Sequence, residues 1–303
     1  MDHRDHLRKG EDAKLLASLL SGSASGLVAR FATAPMDTVK IRLQITPKGD
    51  PLHGSAGVVA VARQIACREG LRGLWKGNVP GSLLYVVYGG VQFSTYSLYN
   101  KTLSPLRWSD QLHSLVVGAL AGMSSSLASY PFDVLRTRLV ANRSAELSTL
   151  RAAARQICAE DGWRGLFKGC VSSIATITLA TSVLFCTYET VKIFAERCGP
   201  GWEASALGAA ASPLAGVVSK LATFPLDTAR RRMLLSNAQH LAHHSAVYKS
   251  YRRRTLLAVA AHIARREGVP ALYQGLSMAL IKSVPSTAIS LWAYQWLMSL
   301  AGG

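Results

Sequence analysis

One charged block occurs three times in this chain: Pro35-Met-Asp37-Thr-Val-Lys40-Ile-Arg42, Pro131-Phe-Asp133-Val-Leu-Arg136-Thr-Arg138 and Pro225-Leu-Asp227-Thr-Ala-Arg230-Arg-Arg232. Each copy reads Pro-x-Asp-x-x-basic-x-basic, and successive copies stand about 95 residues apart, so one supersecondary unit is used three times. A second pattern follows each block: Glu69-Gly70-Leu-Arg-Gly-Leu-Trp75-Lys76-Gly77, Asp161-Gly162-Trp-Arg-Gly-Leu-Phe167-Lys168-Gly169 and Glu267-Gly268-Val-Pro-Ala-Leu-Tyr273-Gln274-Gly275. The acid, the Gly after it and the aromatic-x-Gly ending recur throughout; Gln274 replaces the lysine that precedes the last glycine in the other two copies. Glycine after a helix suits a left-handed cap. Backbone N–H groups at the start of the next helix suit an anion such as a phospholipid headgroup.

The intervening stretches are helix-like. A run from Leu15 to Gln44 precedes the first block and is long enough for a bilayer, which takes roughly 20 residues. Its hydropathy is diluted by Ser, Gly and Arg30. Gly22 and Gly26, and Gly118 and Gly122, form Gly-x-x-x-Gly pairs that fit helix packing; repeat three has Ser212 and Gly216 there. An amphipathic stretch over 58–70 is too polar to span and belongs at a surface. Apolar runs at Val79–Leu98, Val171–Phe194 and Ser277–Leu300 complete the units. The expected fold is an all-α membrane protein with six transmembrane helices in three tandem repeats, pseudo-threefold symmetry and short surface helices. The expected boundaries are a polar, mobile segment 1–14, then repeats 15–103, 104–202 and 203–303.

Charge and composition narrow the classes. The 303 residues carry a net charge of +17, yet 49% are hydrophobic and mean hydropathy is +0.19. The excess charge points to a polyanionic partner. A nucleic-acid binder would explain the charge but not six recurring apolar spans. Lys and Arg crowd the connections inside each repeat, which places those loops on one face. Cys67, Cys158, Cys170, Cys186 and Cys198 form no Cys-x-x-Cys pair and suggest neither disulfides nor a metal site. His243-His244 fits a solvated loop. With no nucleophile–base pair, phosphate-cradling loop or ligand cluster, an enzyme is not expected, nor a cofactor or metal. The N-terminus has acids and no apolar core, unlike a signal or transit peptide.

Both repeated patterns, in three copies, resemble the mitochondrial carrier family over essentially the whole chain from about Leu15. The stretches Thr33–Thr38, Trp75–Tyr85, Leu112–Ala119 and Ser129–Asn142 are most similar to the branch that moves thiamine pyrophosphate. The resemblance implies import of that substrate across the mitochondrial inner membrane, by exchange for another phosphorylated metabolite. A nucleotide or coenzyme A carrier is the alternative. A multi-pass monomer is expected, with both termini facing the intermembrane space and no nucleic-acid partner. Cardiolipin is expected at Trp75, Lys76 and Gly77, at Phe167, Lys168 and Gly169, and at Tyr273 and Gly275.

Asp37 and Lys40 share a helix face, as do Asp133 and Arg136, and Asp227 and Arg230. The resemblance implies a matrix gate in which each acid meets the next repeat's base: Asp37–Arg136, Asp133–Arg230 and Asp227–Lys40. Local pairs on each helix are the alternative. Gln44 resembles the glutamine that braces such a ring. The prolines remove a backbone donor and bring the helix ends together. Two turns deeper on the same faces lie Arg30, Ser126 and Lys220. On the second helix of each repeat, the resemblance implies substrate contacts at Leu84 and Tyr85, Thr176 and Ile177, and Lys282 and Ser283. Arg30, Lys220 and Lys282 have no acid at matching positions, which suits a phosphate-bearing substrate. Tyr85, Tyr88 and Trp292 offer rings for stacking, although Trp292 also fits a lipid interface. A cytoplasmic gate is complete only as Tyr188, Glu189 and Lys192; Tyr96 and Tyr294 are all that repeats one and three supply. The gate is expected to be weak and the empty carrier to rest open to the cytoplasmic side.

Overall fold

The computed structural model describes residues 3–47, 57–104, 110–142, 149–197, 202–236, 248, 250, 251 and 254–300. Their order is α1 (His3–Ile45), α2 (Val58–Glu69), α3 (Asn78–Leu103), α4 (Asp110–Ala141), α5 (Leu150–Asp161), α6 (Cys170–Arg197), α7 (Trp202–Leu234), α8 (Leu256–Glu267) and α9 (Leu276–Leu300). A 3-10 turn precedes α3, α6 and α9, at Leu71–Trp75, Trp163–Phe167 and Val269–Tyr273. Long helix, short helix, turn, long helix therefore recurs three times. The helix expected from near Leu15 begins at His3 instead. Residues 3–14 hold no proline and no β-branched residue, so propensity does not stop the helix before its charged end. His243 and His244 lie outside the described residues.

The short helices are amphipathic, and each buries an i, i+4 pair: Val61 and Ile65, Ala153 and Ile157, Val259 and Ile263. Those faces sit on the C-terminal ends of the proline-bearing helices. One core joins Val39 and Leu43 of α1 to α2 and to Met278 of α9. A second joins Tyr130 to Leu139 of α4 with α5 and Leu234 of α7. A third gathers Ile41, Val140, Ala229 and Leu235 around α8. All three cores lie at the end that carries the Pro-x-Asp blocks. Further along, α1 packs on α9, α3 on α4 and α6 on α7. Large apolar side chains remain outside there, with Val171 82%, Val284 73% and Phe93 68% exposed. Three stretches among the described residues, Trp163–Arg197, Leu207–Leu234 and Val269–Leu300, are long and apolar enough to cross a membrane.

Each proline leaves a carbonyl four residues back without its helical donor. Pro35 frees the Phe31 carbonyl, and the Trp75 indole N–H donates to it at 3.1 Å. Two residues before each proline a hydroxyl bonds back along the helix: Thr33 to Ala29, Ser129 to Ser125 and Thr223 to Ser219, each at 2.8 Å. The Gly-x-x-x-Gly pairs do not do what was expected. A Cβ on Gly26 would lie 2.6 Å from the Tyr85 hydroxyl, but Gly22, Gly118, Gly122 and Gly216 face open space.

Candidate functional site: the gate and the cations above it

The last basic residue of each block does not face the other blocks. Arg42 pairs with Glu69 at 2.9 Å, Arg138 with Glu160 at 2.7 Å and Asp161 at 3.5 Å, and Arg232 with Glu267 at 2.5 Å. These pairs bind the end of each proline helix to its own short helix, joining the two repeated patterns within one repeat. Arg232 is fully buried; its Nε and Nη2 also donate to the Gln44 and Thr46 carbonyls at 2.9 and 3.0 Å. A second set of bonds anchors the aromatic-x-Gly turns. Thr38 Oγ1 donates to the Lys76 carbonyl at 3.2 Å, Tyr130 Oη to that of Lys168 at 2.7 Å and Thr228 Oγ1 to that of Leu272 at 2.8 Å.

The glycines ending those turns have φ of 76°, 78° and 85° at Gly77, Gly169 and Gly275. Each also lies against the following repeat. A Cβ on Gly77 would meet Val140 Cγ2 at 2.9 Å; one on Gly169 would meet Met233 and Leu234; one on Gly275 would meet the Lys40 carbonyl at 3.0 Å. Left-handed backbone and close approach coincide, so only glycine fits.

The first basic residues and the acids form the inter-repeat contacts, but only in two places. Arg136 Nη2 reaches Asp37 Oδ2 at 2.8 Å, and Arg230 donates to Asp133. The expected Asp227–Lys40 pair is not formed. Lys40 Nζ lies 5.5 Å from the centre of the Phe224 ring instead. Gln44 makes no side-chain bond; both amide atoms are buried without a hydrogen-bond partner, and only its carbonyl is used. The physical reason is Arg231, which sequence reasoning overlooked. It stands where repeats one and two have Ile41 and Thr137, and its Nη1 is 3.5 Å from Thr137 Oγ1. Asp133, Arg136, Asp227 and Arg230 all act on it, and it acts in turn on Lys40. Arg231 is thus a fourth cation among three acids, and its repulsion acts against Lys40 at this end.

Above the gate, Lys282 Nζ donates to Asp37 Oδ1 at 2.7 Å. Arg30 is half-buried on α1, with Nε and Nη2 lacking any hydrogen-bond partner. Its guanidinium occupies the space over Gly81 of α3, where a Cβ would lie 1.7 Å from Nη2. Arg136, Asp37, Asp133 and Tyr85 act on it. Lys220 is exposed on α7 and acts on Lys40. Arg30, Lys220 and Lys282 are thus drawn toward one end of the bundle. Tyr85 and Ile177 are exposed, and Leu84 and Tyr88 half-buried. Thr176 is buried and spends its hydroxyl on the Ser172 carbonyl at 2.8 Å; exposed Ser283 bonds Leu280 in the same way. Trp292 stacks on Trp296 at 6.3 Å and 6°, both rings exposed.

At the far end, Glu189 and Lys192 are exposed and form no ion pair with each other. Tyr96 is also exposed, and Tyr188 and Tyr294 are half-buried. At the proline-block end Asp37 pairs with Arg136 and Lys282 and Asp133 with Arg230, while the described residues show no ion pair among Tyr96, Tyr188, Glu189, Lys192 and Tyr294.

Two lateral cavities lie where pairs of helices begin. One, of about 730 Å³, is lined by Phe31, Arg72, Trp75, Gly77, Asn142 and Thr149, among others. The other, of about 340 Å³, is lined by residues including Phe167, Gly169, Tyr251, Arg254 and Thr255. Thr149 and Thr255 are N-caps whose hydroxyls accept from the Ala152 and Ala258 N–H groups. Lys76 lines the first cavity but turns its amine inward, to Glu69 at 2.5 Å and the Asn142 carbonyl at 3.1 Å. The basic side chain at this cavity that was not anticipated is Arg72.

The sequence matches the family model described as mitochondrial carrier protein over residues 11–106, 107–197 and 202–303. It is 47% identical to the mitochondrial thiamine pyrophosphate carrier 1 of Saccharomyces cerevisiae, over 96% of both chains. The protein of that name from Eremothecium gossypii is 49% identical over 98% of this chain and 92% of its own. That from Kluyveromyces lactis is 47% identical over 98% and 95%.

Proposed function

This chain belongs to the mitochondrial carrier family, and from that premise we propose that it carries thiamine pyrophosphate across the mitochondrial inner membrane by alternating access. The observation that carries the substrate reading is Arg30, a half-buried guanidinium with two unbonded nitrogens, close to Lys282. An unpaired guanidinium at that depth calls for a mobile anion, and a pyrophosphate supplies one. The full-length similarity to carriers named for thiamine pyrophosphate favours that anion over a nucleotide or coenzyme A. Lys220 is proposed as a third cation for the phosphates. Tyr85, Tyr88, Leu84 and Ile177 are proposed to line the path of the rings, with Thr176 and Ser283 as wall residues.

Six membrane helices in a pseudo-threefold ring are proposed. The support is cyclic: Gly77 of repeat one meets repeat two, Gly169 meets repeat three, and Gly275 returns to repeat one. The Asp37–Arg136 and Asp133–Arg230 pairs would close the matrix side. Glu189 with Lys192, flanked by Tyr188, Tyr96 and Tyr294, would close the cytoplasmic side after the substrate has passed. The monomer would hold both termini in the intermembrane space. Cardiolipin is proposed for the two lateral cavities, where helix N-termini and Arg72 or Arg254 can meet phosphate.

The test is uptake of labelled thiamine pyrophosphate into liposomes bearing the purified carrier, preloaded with thiamine pyrophosphate, with ADP or with buffer. Uptake that requires internal thiamine pyrophosphate is expected. No uptake from any preload, in protein that takes up a nucleotide, would replace the substrate and leave the carrier reading intact.

A further inference from the structure

The three gate acids are unequally held. Asp37 receives two cations: Arg136 of α4 at 2.8 Å and Lys282 of α9 at 2.7 Å. Asp133 is paired with Arg230, and no ion pair links Asp227 to Lys40. Lys282 is therefore in two places at once in functional terms. It stands on the wall of the proposed substrate site, yet its amine lies in the gate. Its side chain is 24% exposed and that of Asp37 9%, so the contact is partly open to solvent.

We propose that Lys282 is a latch on the matrix gate that the substrate itself releases. The inference rests on the carrier reading but needs only an anionic phosphate group. In the empty carrier the ammonium holds Asp37 and ties α9 to α1 beside the Arg136 pair. A phosphate entering the cavity is drawn by Arg30, whose Nε and Nη2 lack hydrogen-bond partners. It then competes with the Asp37 carboxylate for the lysine. A lysine has a flexible four-carbon stem and rotatable donors, so it can change partner without moving its helix. Once it swings to the phosphate, Asp37 keeps only Arg136, and the ring is left with one inter-repeat pair at each of two seams. Binding energy is thus converted into a weaker gate, through a differential contact in the two states. An anion too short to span Arg30 and Lys282 would bind without releasing the latch.

The experiment uses the full-length carrier in inside-out inner-membrane vesicles. A cysteine replaces Ser126 above the gate, the native cysteines being changed to serine, and labelling by an impermeant maleimide is followed from the exposed matrix side. Wild type should label slowly, and faster with inorganic pyrophosphate or thiamine pyrophosphate. Lys282→Gln should label about tenfold faster without any ligand, the value of one charge-assisted bond, and pyrophosphate should add nothing. Lys282→Arg, which keeps the cation, should stay slow. Thermal unfolding of each variant in detergent checks that it folds. A slow basal rate in folded Lys282→Gln, with only the ligand response lost, would make Lys282 a plain substrate contact and overturn the latch. Equally fast labelling in Lys282→Arg would also overturn it. Fast basal labelling in Lys282→Gln, with no thiamine pyrophosphate uptake by wild type, would keep the latch and remove the proposed substrate.

Discussion

Gly81→Ala should separate transport from stability. Gly81 lies in the first turn of α3, its N–H bonded to the Gly77 carbonyl at 3.1 Å, in ordinary helical backbone. Alanine there is favoured by about 1 kcal/mol over glycine on propensity alone. The new methyl would stand 1.7 Å from Arg30 Nη2 and 2.7 Å from Cζ, so the guanidinium has to leave. If Arg30 gives the phosphate one charge-assisted hydrogen bond, its loss costs about 1.5–3 kcal/mol. That corresponds to a rise in KM of about 10- to 150-fold. The assay is initial uptake of thiamine pyrophosphate against concentration in liposomes, beside thermal unfolding in mild detergent. A raised KM with an unfolding midpoint at or above wild type is expected. An unchanged KM in Gly81→Ala, alongside a raised one in Arg30→Ala, would refute the idea that the α1–α3 approach positions the guanidinium. An unchanged KM in both would remove Arg30 from the binding site.

Arg232→Met should be among the most destabilising single changes, by about 3–5 kcal/mol, because it strands Glu267 and two carbonyls in a buried site; a midpoint within a degree or two of wild type would contradict this. Trp75→Phe should lower the unfolding midpoint modestly, by about 1 kcal/mol, since the Phe31 carbonyl loses the donor that replaced the proline N–H; unchanged stability would mean that lipid or water supplies the bond. Asp133→Asn should destabilise the matrix-closed carrier more than Asp227→Asn, because Asp133 holds Arg230 whereas Asp227 pairs with no neighbouring base; unfolding in detergent reads the difference, and the reverse order would restore an Asp227–Lys40 pair to the gate.

The repeat, the surface helices and the shared face of each acid and base could be read from spacing, because i, i+3 neighbours share a face, whereas the partners Asp37–Arg136 and Asp133–Arg230 came from the family resemblance. The role of Arg42, Arg138 and Arg232 was also within reach. Each lies five residues after its acid, about 140° around the helix, and so points away from the axis toward its own short helix. Arg231 left a signal too: it is i+4 from Asp227, on the gate-facing side, at a position where the other repeats have no charge. The Lys282–Asp37 contact left none. It depends on how far α9 is set along α1, which helical periodicity does not encode. The same holds for Arg30 over Gly81, where the informative residue is defined by the side chain it lacks. Lys76 misled for a simple reason: a basic residue beside an anion-binding helix start resembles a ligand, but burial had already given it Glu69.

The circulating contacts at Gly77, Gly169 and Gly275 imply something about assembly. Each repeat offers a turn on one flank and accepts a turn on the other, so the seams are head-to-tail and not self-complementary. Such interfaces either close after a fixed number of copies or propagate without end. Covalent linkage of three units fixes the count, and it also frees each seam to diverge. The seam from repeat three to repeat one bears this out: it has Arg232 on two carbonyls and an idle Gln44, where the seam from repeat one to repeat two has Arg42 on the single Asn142 carbonyl and Val140 in place of the glutamine. A two-repeat fragment would expose one donor flank and one acceptor flank, and would associate as an open chain.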